Sequence, residues 1–288
     1  MSRSHALLLA AGLAAAAPAL AQSGATVEGV QMPAWAERGG TREPLAPGAR
    51  LQPGDAVKTG EGSRVLLRLP EGSSVKLGEH ASFRIEQSAP QPDGVFRAVL
   101  RVVEGAFRFT TSLLSRPQSR EVSITVGTVI AGVRGTDLWG KSEPQREVVC
   151  LIEGKIQVGA SGEQPVTMDR ARQFYRREHG VTQAVGVVSA EQLADWAKQT
   201  EIVPDAGAAR RGGRWLVVLG TEDSAAKADA LRDRLRADGY AAEVREGRLA
   251  GKRVRRVLIG QLASRADAQA LAAQLHAREG IAQPSVSQ

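Results

Sequence analysis

Through most of residues 22–188, apolar and polar positions alternate with period two. Val65, Leu67 and Leu69 alternate with Leu66 and Arg68, and Phe96, Ala98, Leu100 and Val102 oppose Arg97 and Arg101. That period is the mark of a strand with one buried face. Glu61-Gly62, Glu71-Gly72, Glu104-Gly105 and Glu153-Gly154 fall between or beside such runs, where glycine supplies the positive φ of a tight connection. The pattern predicts an all-β domain over residues 22–188, built as a sandwich, barrel or roll.

The period changes at Ser189. In "SAEQLADWAKQT" Ser189 is placed to cap, Gln192 sits at the reciprocal capping position, and Leu193, Trp196 and Ala197 share one helical face. A helical extension over 189–202, packed back on the β domain, is expected. Residues 203–213, "VPDAGAARRGG", have no apolar period and read as a flexible linker.

Residues 214–288 then say nearly the same thing twice. "RWLVVLG" ends at Gly220, Ala228, Leu231 and Leu235 form a helical stripe, Gly239 stops it, and "YAAEV" follows. "RRVLIG" ends at Gly260, Ala268, Leu271 and Leu275 repeat the stripe, Gly280 stops it, and "IAQPSV" follows. A repeat at fixed spacing is one supersecondary unit used twice. Two β-α-β units predict an α+β domain whose four-stranded antiparallel sheet carries two helices on one face. The connection "REGRLAGKR" is a basic hairpin or loop between them.

Composition and the N-terminus add a compartment. "MSRSHALLLAAGLAAAAPALAQ" has a basic start, a short apolar run, Pro18 and an A-x-A site, the form of a secretory signal peptide (1–21) cut after Ala21. No later run is long and apolar enough to span a bilayer, so a periplasmic protein is expected. The single Cys150 lies in "VVCLI" and reads as a small buried hydrophobe. A net charge of +7 and a pI near 10.0 favour an anionic partner. Export makes nucleic acid the least suitable of these, leaving a wall polymer or a lipid surface.

The chemistry-bearing residues assemble no catalyst. The four histidines (His5, His80, His179, His276) are scattered, and no Cys/His metal spacing, nucleophile elbow or phosphate-cradling loop is present. No enzymatic activity, cofactor or metal is expected. Crowding of Arg134, Thr136 and Asp137 between glycines reads as a bend held by its own side chains, and Asp55 in Pro-Gly-Asp as a turn residue bonding its own backbone.

The β region, through "LQPGDAVKTGEGSRVLLRLPEGSSVKLGEHASFRI", "LRVVEGAFRF", "ITVGTVIAGVRGTDLWG" and "VVCLIEGKIQV", resembles the FecR-type extracytoplasmic domain. Pro53-Gly54-Asp55, Gly72-Ser73 and Val133-Arg134-Gly135-Thr136 carry the match. The resemblance implies an envelope module, whose best-known members relay an outside signal.

From Arg214 to Val286 the chain resembles the SPOR (sporulation-related repeat) domain, through the strand-glycine pairs at Gly220 and Gly260, "SAAKADALRDRLRADGYAAEV", Arg256 and "SRADAQALAAQL". That resemblance implies binding of peptidoglycan glycan strands, and cell-division sites. Alternation turns Val217, Leu219, Val257 and Ile259 toward the helices and leaves Leu216, Val218, Arg256 and Leu258 on the open face. With Arg214 and Arg253 nearby, these are the candidate glycan-binding residues. Trp215 points to the helix side. The family often has glutamine, arginine and aromatics where Val218, Leu258, Glu222 and Leu262 stand here. The leading expectation is a wall-binding protein whose FecR-like domain presents a second surface. The alternative is an adaptor whose two domains both bind envelope proteins, docking through the aliphatic face.

Overall fold

The computed structural model describes residues 23–111 and 119–288. The expected signal peptide lies outside the described residues. The β region contains β1 (Ala25–Gln31), β2 (Ala34–Arg38), β3 (Thr41–Pro44), β4 (Arg50–Leu51), β5 (Ala56–Thr59), β6 (Arg64–Arg68), β7 (Ser74–Leu77), β8 (Ser82–Pro90) and β9 (Phe96–Thr110). It continues with β10 (Arg120–Val126), β11 (Val129–Val133), β12 (Asp137–Glu143), β13 (Arg146–Glu153), β14 (Ile156–Ala160), β15 (Val166–Met168), β16 (Gln173–Glu178), β17 (Val181–Thr182) and β18 (Gly186–Val187). Helix α1 (Ala190–Lys198) and β19 (Ala208–Arg210) precede the C-terminal unit. That unit is β20 (Trp215–Glu222), α2 (Ala225–Ala237), β21 (Glu243–Leu249), β22 (Lys252–Leu262), α3 (Arg265–Glu279) and β23 (Ser285–Ser287).

The N-terminal domain is all-β, two sheets face to face. One sheet runs β16-β13-β12-β9-β7-β6-β1, the other β3-β2-β5-β8-β9-β10-β11-β14-β15. Strand β9 belongs to both. Its first half pairs with β8 and β10, and its second with β7 and β12. The sequence reading made Glu104-Gly105 a turn, but it is the bend inside this 15-residue strand. Gly105 has φ +85°, and a Cβ there would lie 2.5 Å from the Ala81 Cα, so only glycine fits. Alternating inward residues fill the space between the sheets: Val65, Leu67, Phe107 and Phe109 from one, Phe83, Phe96, Leu100 and Ile124 from the other.

Asp55 shows how a turn residue is fixed. Its side chain, 2% exposed, accepts from Gln52 N at 2.7 Å and forms two bonds with Arg38, Nε to Oδ1 at 2.8 Å and Nη2 to Oδ2 at 2.6 Å. Burial works to raise the Asp55 pKa, but the Arg38 and Gln52 donors outweigh it, and the net shift is downward. A depressed carboxylate stabilises the fold above its unfolded pKa of about 3.9 and loses that contribution as pH falls through the lower native value. Asp55→Asn is expected to cost about 1–3 kcal/mol at neutral pH, because Arg38 loses its charged partner. Urea titrations should show this difference shrinking toward acid pH; an undiminished difference would contradict the assignment.

Helix α1 forms as its cap predicts: Gln192 N donates to Ser189 Oγ at 3.0 Å. It lies on the outer face of the first sheet, where Trp196 stacks on Trp139 with centroids 4.9 Å apart and meets Phe174 edge-on at 6.1 Å. These rings, with Val148, Cys150 and Leu193, make a second small core. Burial pushes the Cys150 thiol up to about 12, so the thiolate that would react is not formed at physiological pH.

After α1 the chain crosses that sheet. Glu201 accepts from Lys76 Nζ at 2.6 Å and from Arg108 Nη1 at 3.1 Å, while Arg108 also holds Asp137 through Nε at 3.0 Å and Nη2 at 2.7 Å. Asp137 is therefore satisfied by Arg108, and Arg134 beside it in sequence stays exposed. Val203 N donates to Gln31 Oε1 at 2.7 Å, and β19 then pairs with β1 on one side and with the end of β22 on the other. Residues 203–213, expected to be a flexible linker, thus contain a buried strand. The reading failed because small residues leave no apolar period, yet Ala208 and Ala209 are small enough to sit between two strands.

The C-terminal domain is α+β as expected, with sheet order β23-β20-β22-β21 and all pairs antiparallel. Ala228, Leu235, Ala268, Leu271 and Leu275 are buried against Val217, Leu219, Val257 and Ile259. Gly239 and Gly280 take positive φ past the helix ends. The strand after α2 begins at Glu243 rather than Tyr240, and the basic connection is the β21–β22 hairpin. Through β19 the two domains share one sheet and one core. Trp35 adds a second seam: its Nε1 donates to Ala237 O at 3.1 Å, and Ala34 N donates to Gly239 O at 3.1 Å.

Candidate functional site

The face of the C-terminal sheet opposite α2 and α3 carries no helix. Cross-strand register arranges its residues in rows. Ser285, Val218, Leu258 and Glu243 form one row, and Thr221, Arg256 and Arg245 form the next. Leu216 pairs with Ser287 at the far side. Arg245 Nη2 bonds Glu243 Oε1 at 2.5 Å, and this pair lies over the sheet, since a Cβ built on Gly260 would come within 3.7 Å of that Nη2. The result is a shallow surface of hydroxyls, guanidinium groups and three half-buried aliphatics, Leu216, Val218 and Val254.

A bulge decides which residues reach it. The β20–β22 register shifts between Val218 and Gly220, which turns Gly220 toward Leu231 of α2 and brings Thr221 onto the open face opposite Arg256. Glu222 goes to the helix side.

Residues 211–287 match the family model described as the SPOR domain, and residues 55–157 match that of the FecR protein. The chain carries a FecR domain followed by a SPOR domain. Two crystal structures titled as a "putative anti-sigma factor" from Parabacteroides distasonis are similar at 12% and 11% identity, with TM-scores of 0.41 and 0.40. Each alignment covers 69% of this chain and 96% of that chain. No curated protein matches the sequence.

Of the candidate residues on the SPOR sheet, Leu216, Val218 and Arg256 share the open face and are half-buried. Arg214 is exposed just before β20. Leu258 lies in register between Val218 and Glu243 and points the same way, but it is only 3% exposed. Arg253 is opposite Arg248 at the hairpin end and, three residues from Arg256 on a regular strand, projects from the other face. Leu262 is fully buried opposite Trp215 on the helix side. Sequence reasoning missed Thr221, Arg245 and Ser285. Thr221 was hidden by the bulge, and the other two lie on strands whose starts were placed by turn signals alone.

Both families are binding or signalling domains. Among the described residues no group of three or more His, Cys, Asp or Glu could hold a metal, and no helix is long and apolar enough to cross a membrane.

Proposed function

We propose that this is a non-enzymatic envelope protein that holds peptidoglycan glycan strands on the open face of its SPOR sheet and presents its FecR domain to a second ligand. The carrying observation is a helix-free sheet face lined by Thr221, Arg245, Arg256 and Ser285 within a segment that matches the SPOR domain. Hydroxyl and guanidinium donors suit sugar hydroxyls and the carboxylates of a wall polymer. Burial of Leu258 shrinks the aliphatic patch that would favour a protein-docking adaptor. Export, with cleavage after Ala21, completes this reading, and N-terminal sequencing of the mature protein tests it.

The wall assay calls for the whole mature chain, because the SPOR domain shares its sheet and core with the FecR side. Co-sedimentation with purified sacculi should rise when an amidase removes stem peptides. Arg256→Ala should weaken this binding by about fivefold or more at low salt, with a smaller gap as ionic strength rises. A well-folded protein that stays in the supernatant with both preparations would refute wall binding; unchanged binding by Arg256→Ala would remove this arginine from the site.

A further inference from the structure

The outer face of the second FecR sheet carries a groove of about 740 Å³ that the wall-binding face does not include. Its floor is one register row across five strands: Gln87 of β8, Val99 of β9, Ser123 of β10, Gly132 of β11 and Gln157 of β14. At strand spacing that row is about 19 Å long, the reach of about six extended residues. Gly132, between Ser123 and Gln157, leaves that part of the row open. A Cβ there would meet nothing closer than Gln157 O at 3.9 Å, and its φ is not in the left-handed region, so the position is not glycine for backbone reasons.

Three polar groups on the floor are uncommitted. The Gln87 and Gln157 amides and the Ser123 hydroxyl have no side-chain hydrogen-bond partner within the described residues. Beyond the last register pair, Val133 with Ile156, the exposed side chains of Arg134 and Lys155 flank one end, and neither has an ion-pair partner among the described residues. Arg97, on the same wall, is already committed to Asp93 and Glu121. No aromatic ring lines the groove, which disfavours sugar stacking, whereas planar amides match peptide groups.

We infer that this groove binds an extended, carboxylate-bearing peptide, with its acidic end held by Arg134 and Lys155. The site is distinct from the SPOR face and goes beyond the wall-binding reading.

The test uses the whole mature chain and fluorescence anisotropy with three labelled probes: an alternating glutamate–serine hexapeptide, its glutamine–serine counterpart and chitohexaose. The acidic peptide should bind best. R134E/K155E should weaken it by about tenfold or more, and Gly132→Phe, which fills the groove without changing charge, should do the same. R248E/R253E makes an equal charge change on the SPOR hairpin and should leave peptide binding within about twofold. Thermal melts establish that each variant is folded. Acidic peptide binding that survives both groove variants, or falls equally in R248E/R253E, overturns the site. Equal or better binding of the neutral peptide or the glycan overturns the ligand class, and no binding of any probe overturns both. Sacculus co-sedimentation of R134E/K155E, measured in parallel and expected to be unchanged, separates failure here from failure of the wall-binding reading.

Discussion

Trp139→Ala should destabilise the protein by about 3–5 kcal/mol, the range for truncating a fully buried large aromatic. Trp139 is 1% exposed on β12, yet it lies on the outer face of its sheet, which α1 and the preceding Val188 turn into an interior. Removing the indole leaves a cavity under the helix and takes away the ring on which Trp196 stacks. Trp139→Phe should stay within about 1 kcal/mol of wild type, because it keeps an aromatic stack and eliminates an indole N–H that is buried with no hydrogen-bond partner. A double-mutant cycle with Trp196→Ala should return a coupling of about 0.5–1.5 kcal/mol. Urea denaturation measures all three. A loss below about 1 kcal/mol for Trp139→Ala would mean that the helix is not packed as described.

This expectation could not have been written from the sequence, although its parts were visible there. The capping serine and the Leu193/Trp196 face announced α1. Which ring met which depended on the order of strands in the first sheet, and no local pattern encodes that. The same division holds across the molecule. Alternation placed Phe96, Ala98, Leu100 and Val102 inward correctly, and the duplicated stripe gave both C-terminal helices and the sheet they cover. It could not tell the bend at Gly105 from a hairpin turn, because both need glycine at positive φ. Nor could it see the bulge at Leu219, which reverses the side-chain order of β20 and exchanges Glu222 for Thr221 on the open face. Leu258 was read on the open face, and alternation could not show that its side chain is buried there. Site residues were thus legible to the extent that they depend on alternation, and lost where register or an adjacent strand decides exposure.

The protein should unfold in one transition, and Ala209→Pro should divide it into two. Among the described residues, 208–210 form a strand common to both domains, flanked by β1 at Val30 and by β22 at Leu262. A strand with neighbours on both sides offers no free edge to a proline, which removes a ladder donor and adds ring atoms where Ala209 is fully buried; the expected cost is about 3 kcal/mol or more. Other contacts between the domains include the apolar packing they share, the seam at Trp35 and the surface pairs Arg236–Glu43, Arg211–Glu28 and Arg278–Glu61. Exposed ion pairs contribute about 0–1 kcal/mol each, and a proline at Ala209 disrupts the strand through which the shared core is continuous, so the two halves should no longer melt together. Differential scanning calorimetry of the wild type should therefore show one endotherm and Ala209→Pro two, the lower shifted most. Gln31→Ala, which removes the bonds to Val203 N and Ala206 O but leaves β19 paired, should lower the transition without splitting it. One unsplit transition in Ala209→Pro at the wild-type temperature would show that β19 does not couple the domains. Two transitions already present in the wild type would return residues 203–213 to the role of linker. If the coupling holds, a ligand on the FecR domain and a polymer on the SPOR face each stabilise the same cooperative unit, and binding at either raises the melting temperature of both.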